Sequence, residues 1–213
     1  MIHLLYDGYI GVFAMVLVAL VMSLCLHEFG HACVAKLYGD NTAEKAGRLT
    51  LNPLVHIDPM GLLMVVFVGF GYARPVPTDP RNFTSRWADM MVSAAGPAMN
   101  LLLAVVTINI YVLGVNANVE WFNETGPRFF FLYLAQINLL LMVFNLIPLG
   151  ALDGHYILPY FLPGQMAVAY RYYNARYGNL VLLTLVVLSV MGLPIFNHVL
   201  ALADAILPMI VFV

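Results

Sequence analysis

Residues 9–38 read YIGVFAMVLVALVMSLCLHEFGHACVAKLY. Apart from Lys36 near its end, the charged or basic residues of this run are His27, Glu28 and His31. At about 1.5 Å rise per residue, a helix of that length exceeds the roughly 30 Å hydrocarbon core of a bilayer. The run is also too long for a signal peptide, and Cys25, Leu26 and His27 do not resemble a cleavage site, so it is expected to stay in the mature protein. The run therefore predicts a transmembrane helix with three functional polar side chains inside it.

Those three form the HExxH pattern His27-Glu28-Phe29-Gly30-His31. At 100° per residue, His27 and His31 point only about 40° apart, one turn above the other. Two imidazoles so placed suit one tetrahedral zinc, while Glu28 reaches the position where water would sit and can take its proton. Short matches to this pattern occur by chance in soluble helices. In an apolar span, however, a single carboxylate costs roughly 2.5–3.5 kcal/mol, which argues against three such residues serving as packing.

The rest of the chain agrees with a membrane setting. Of 213 residues, 62% are hydrophobic and 9% charged, against about 25% charged in an ordinary soluble domain. The whole chain is expected to form one intramembrane domain, with a catalytic core over about residues 9–160. The net charge of -2 makes no case for a nucleic-acid partner. Cys25 and Cys33 suggest no disulfide framework and lie off the ligand face. A second span is predicted over residues 87–113, and a third from near Phe129 to a break at Pro148 and Gly150. Residues 62–73 are too short to span and rich in Val, Phe, Tyr and Gly. They predict a small re-entrant or interfacial β element, to whose edge an extended substrate could add. Residues 74–86 and 163–178 read as loops. Residues 179–213 form a hydrophobic segment that is either one kinked span or two helices. The fold class expected is thus an all-α polytopic membrane protein, a transmembrane helix bundle with a small β element.

Five of the nine Lys and Arg fall at residues 45–86, with Lys36 beside them, and two more at 171 and 176. By the positive-inside rule the N-terminus lies outside and the connection after the first span inside. Zinc needs a third protein ligand, and Asp153 is the only ionisable acid at residues 129–160. On this topology His27 and Asp153 both fall toward the cytoplasmic side.

The motifs His27-Glu28-Phe29-Gly30-His31, Gly96-Pro97-Ala98-Met99-Asn100 and Asn145-Leu146-Ile147-Pro148 leading to Leu152-Asp153-Gly154 stand in order along the chain. Together with Leu49-Thr50-Leu51-Asn52-Pro53, they resemble the site-2 protease family of intramembrane metalloproteases, in its compact bacterial and archaeal form. The resemblance implies that His27, His31 and Asp153 hold one zinc and that Glu28 is the general base. It also implies that Asn100 faces the site to hold substrate or a developing oxyanion, against an interhelical hydrogen bond as the plainer use. Asn145 either acts similarly or caps the broken helix. The reaction implied is hydrolysis of peptide bonds in or near transmembrane segments of membrane-protein substrates, in a multi-pass protein of the cell membrane. The alternative function is a non-proteolytic zinc-dependent binder or chaperone of membrane helices, for which Glu28 would be superfluous. His155 reads as a partner of the site or an exposed loop residue, His56 as structural. Asp204 has no evident partner. Oligomeric state is left open.

Overall fold

Apolar length, not amphipathic periodicity, makes the helices of this chain. In α1 (Ile10–Leu37), Leu, Val and Ala surround the whole cylinder, as in a helix bounded by lipid as well as protein. The structure, a computed structural model, describes residues 1–68 and 71–213. After α1 come α2 (Pro59–Val68), α3 (Ala88–Asn116), α4 (Thr125–Asn145), α5 (Gly164–Val190) and α6 (Asn197–Ile206). Four of these, α1, α3, α4 and α5, are long and apolar enough to cross a membrane. No strand forms among the described residues, so the chain is an all-α polytopic membrane protein.

α1, α3 and α4 pack on one another, and α6 lies against α4. Lipid removes most of the hydrophobic drive between such helices, so close backbone approach and buried hydrogen bonds must hold them. Gly30 provides the first: a Cβ there would stand 2.5 Å from Met99 Cγ and 2.9 Å from the Ala95 carbonyl oxygen. Away from the site, Ala104 and Ile108 of α3 meet Ala135, Leu139 and Met142 of α4, with Ala203 of α6 closing the cluster. By contrast α5 stands off the bundle. Only 6% of its apolar window is buried, against 28% in each of the other three spans.

Two local expectations need correction, and one open alternative is resolved. The β element expected over residues 62–73 is helical as far as it is described to residue 68, within α2, while residues 69–70 lie outside the described residues. What remains of it is a single antiparallel bridge, Ile57 with Ala73, extended by the Arg74 N–H donating to the His56 carbonyl at 2.8 Å. An apolar run with little β-alternation can close its own backbone hydrogen bonds as a helix without a partner strand, and here it does. The loop expected at residues 163–178 is also helical and forms the first half of α5. Arg171 and Arg176 project from it over the rings of Tyr160 and Tyr177 rather than ending it. Finally, residues 179–213 divide into two helices, separated after Val190 by a turn containing Gly192 at φ +103°.

The loop between α1 and α3 is buckled at Asp40, which is fully buried. Its Oδ1 accepts from the Thr42 N–H at 3.0 Å and from Asn82 Nδ2 at 3.0 Å, and its Oδ2 accepts from the Asp79 N–H at 2.7 Å. Burial alone would raise this carboxyl, but the donors of Thr42, Asn82 and Asp79 outweigh it and hold the pKa at about 2. The buckle pins the extended stretch 73–79 against the end of α1.

Candidate metal centre

α1 presents His27 and His31 one turn apart, and the chain returns after α4 to lay Asp153 beside them. The return needs a sharp reversal, supplied by Gly150 at φ +63°, a conformation costly for other residues. A short helix, Gly154–Ile157, then starts where a Cβ on Gly154 would meet the Leu146 carbonyl oxygen at 2.2 Å. Non-helical backbone at this depth is tolerated because protein surrounds it. The result places His27 Nε2 3.2 Å from Asp153 Oδ2, His31 Nε2 3.4 Å from Asp153 Oδ1, and the two Nε2 atoms 3.1 Å apart. Among the described residues this is the one group of three such side chains whose ligand atoms all lie within 4.8 Å of one another.

The opposite ring edges decide what these atoms can hold. His27 Nδ1 donates to Asn100 Oδ1 at 2.6 Å, and His31 Nδ1 donates to the Val92 carbonyl at 2.7 Å. With protons committed to Nδ1, both Nε2 atoms turn lone pairs toward each other and toward a carboxylate. Asp153 Oδ2 is buried and accepts no hydrogen bond. Three acceptors facing one point without a donor suit a cation, and two imidazoles with a carboxylate are a donor set that suits zinc. Oriented imidazoles of this kind, each with its far nitrogen hydrogen-bonded, are what metal sites require.

α3 makes room for them. A Cβ on Gly96 would stand 2.4 Å from His31 Nε2 and 2.6 Å from His27 Nε2, so the imidazole edges lie directly on its backbone. Pro97, next along, lacks an N–H and so gives none to the Ser93 carbonyl one turn back, beside the Val92 carbonyl that bonds His31. Glu28, also buried, accepts at Oε2 from the Val76 N–H at 3.0 Å. Its Oε1 accepts no hydrogen bond among the described residues. Val76 stands between Pro75 and Pro77, so it is the sole amide donor of that tripeptide.

Asn100 lies behind His27. Its Oδ1 takes the His27 proton, while its Nδ2 donates to Asn138 Oδ1 at 2.8 Å and to the Ser23 carbonyl at 3.3 Å. Asn138 Nδ2 in turn donates to Ser23 Oγ at 2.8 Å and the Leu134 carbonyl at 2.8 Å. Ser23, Asn100 and Asn138 are all fully buried, so this chain of hydrogen bonds ties α1, α3 and α4 together at the depth of the candidate metal site. Asn138 and Ser23 were not legible as site residues, because an Asn or Ser in a span carries no motif. Asn145 is not brought to the site: its Nδ2 donates to the Leu141 carbonyl one turn back. His56 is buried and bonded to the Thr50 carbonyl at 2.8 Å, a structural role. Cys25 donates to the Leu51 carbonyl at 3.3 Å. His155 lies 3.4 Å from the Tyr170 hydroxyl, and burial, then the charge of Arg171, lowers its pKa. Asp204 does have a partner, Gln136, whose Nε2 donates to it at 2.7 Å.

Comparison with known proteins points the same way. The family model described as Peptidase family M50 matches residues 15–120 and 114–193. The chain is 44% identical over 149 residues to a Bacillus subtilis (strain 168) protein named "Putative zinc metalloprotease YwhC", a match covering 68% of each chain. It is 35% identical over 156 residues to "Putative zinc metalloprotease Rip2" of Mycolicibacterium smegmatis, a match covering 70% of this chain and 57% of that protein. The protein of the same name from Mycobacterium tuberculosis (strain ATCC 25618 / H37Rv) matches over the same shares. No solved structure matches. With the family model spanning most of its length, this chain belongs to peptidase family M50, the site-2 protease family.

Proposed function

We propose that this protein is an intramembrane zinc-dependent endopeptidase that hydrolyses peptide bonds in or near transmembrane segments of membrane-protein substrates. The observation that carries this reading is the convergence of His27 Nε2, His31 Nε2 and the Asp153 carboxylate on one point beside a membrane-spanning helix. His27, His31 and Asp153 would hold one zinc per chain. Zinc there would supply Lewis acidity, making a water reactive and polarising a carbonyl at neutral pH.

The chain's own residues do the rest. Glu28 is fixed through Oε2 by Val76, leaving Oε1 to take the proton of the attacking water and return it to the leaving amine. Asn100 holds His27 in the tautomer that presents Nε2. A helical substrate keeps its carbonyls in internal hydrogen bonds and must unwind locally before attack. The four spans support a multi-pass location in the cell membrane. The clustering of Lys and Arg at residues 36–86 supports an N-terminus outside and a site opening toward the cytoplasm.

The test compares membrane fractions from cells making the natural protein or Glu28→Gln. The variant retains every ligand and loses the base, so zinc content should stay at the natural level. New N-termini within or beside transmembrane segments should arise only with the natural protein. Identical N-terminal profiles from two folded, zinc-loaded proteins would overturn the endopeptidase and favour the zinc-dependent binder.

A further inference from the structure

α5 is exposed or half-buried at every position but two. Its buried residues are Asn174 and Gly178, and both face the loop that carries Asp153. Asn174 Oδ1 accepts from the Gly150 N–H at 2.9 Å, and Asn174 Nδ2 donates to the Gly150 carbonyl at 2.9 Å. One side-chain amide thus takes both backbone polar groups of the residue at which the loop reverses. Four residues earlier on the same helix face, the Tyr170 hydroxyl donates to the Pro148 carbonyl at 2.7 Å. Four residues later, a Cβ on Gly178 would stand 2.2 Å from Asn174 Oδ1 and 2.9 Å from the Gly150 nitrogen. The helix itself widens to a π turn over Asn174–Gly178, a local irregularity often found at functional sites.

We propose that Asn174 is a positioning residue for the metal centre, clasping Gly150 so that Asp153 is held against His27 and His31. The proposal rests on the reading of Asp153 as a metal ligand. Residues 146–153 are not helical, and Gly150 sits in a conformation that an unpinned loop would leave readily. A buried amide that satisfies both Gly150 groups gives the reversal one geometry, three residues from the ligand. α5 contributes little to the core, so its contact with this loop is not a by-product of general packing.

The clasp predicts that substitutions at position 174 change metal affinity more than they change the fold. In the full chain in detergent, zinc dissociation is measured by competition with a chelator for the natural protein, Asn174→Ala, Asn174→Leu and Asp153→Ala. Groups that bond a metal ligand directly typically contribute 10–100-fold in affinity; Asn174 acts one step further out, through Gly150, so a loss of about tenfold is expected for both Asn174 variants. A merely structural role would lower the metal-free Tm and leave the zinc affinity unchanged. Zinc affinities of both Asn174 variants within twofold of the natural protein, with Asp153→Ala losing zinc, would overturn the clasp alone. Undiminished zinc binding by Asp153→Ala would overturn the ligand assignment and the clasp with it. A second measurement needs no substitution: zinc added to the natural protein should slow amide hydrogen exchange at residues 174–178 of α5. Exchange there that ignores zinc would equally overturn the proposal.

Discussion

At the scale of single residues, Asn100 separates two uses of the same amide. An amide that donates to an oxyanion must aim its NH2 at the reacting carbonyl. Here the NH2 is spent on Asn138 and Ser23, and the oxygen is on His27. Asn100→Ala should therefore weaken zinc binding on the order of 10–100-fold, as expected when a ligand loses the partner that fixes its tautomer. Chelator competition checks this; unaltered zinc affinity with a lowered kcat would return Asn100 to direct contact with substrate. The sequence pointed to His27 and His31 through the spacing of one motif and to Asp153 as the only ionisable acid at residues 129–160, and the fold brings these three side chains together. It was silent on why position 96 is glycine beyond its place in a motif. That reason, imidazole edges 2.4–2.6 Å from where a methyl would be, exists only once α1 and α3 are crossed.

At the scale of elements, the Asp40 buckle governs the loop that carries Val76 to Glu28. Its folded pKa of about 2 lies below the ordinary 3.8 of the free side chain. Its contribution to stability is thus complete above about pH 4 and is lost as pH falls through about 2. Amide protection at Thr42 and Asp79 in metal-free protein, taken relative to intrinsic exchange at each pH, should fall across that window. Asp40→Ala should show the accelerated exchange already at pH 6, by about tenfold or more for charge-assisted hydrogen bonds worth roughly 1.5 kcal/mol. Protection that does not change with pH would contradict this assignment. α2 and the first half of α5 show where element-level reading fails. Residues 62–68 have strand-like composition, but among the described residues no neighbouring segment forms a ladder with them, and helix satisfies the backbone without one. In α5, Arg171 and Arg176 look like loop charges, but long side chains let the guanidinium groups reach aromatic rings while their stems lie on the helix.

At the scale of the whole molecule, α1, α3 and α4 were legible as spans from apolar length alone. The standing-off of α5 was not, because hydropathy records solubility in lipid and says nothing of contacts. The alternation of the spans puts Arg86, Trp87, Tyr160 and Arg171 at the end where α1 finishes and α3 begins, with the Trp87 and Tyr160 rings tilted against each other, centroids 5.5 Å apart. Trp and Tyr mark either membrane interface, and the arginines beside them support the cytoplasmic side proposed for this end. In a cysteine-free background, a membrane-impermeant maleimide applied to intact cells should label Ala117→Cys and spare Thr78→Cys until the membrane is permeabilised. The reverse pattern would invert the topology proposed here. One consequence follows from the Val76–Glu28 hydrogen bond. The donor is backbone, so every side-chain substitution at position 76 except proline leaves it intact. Alanine scanning of this loop would pass over Val76 in silence, while Val76→Pro or an amide-to-ester exchange would expose its hold on the base.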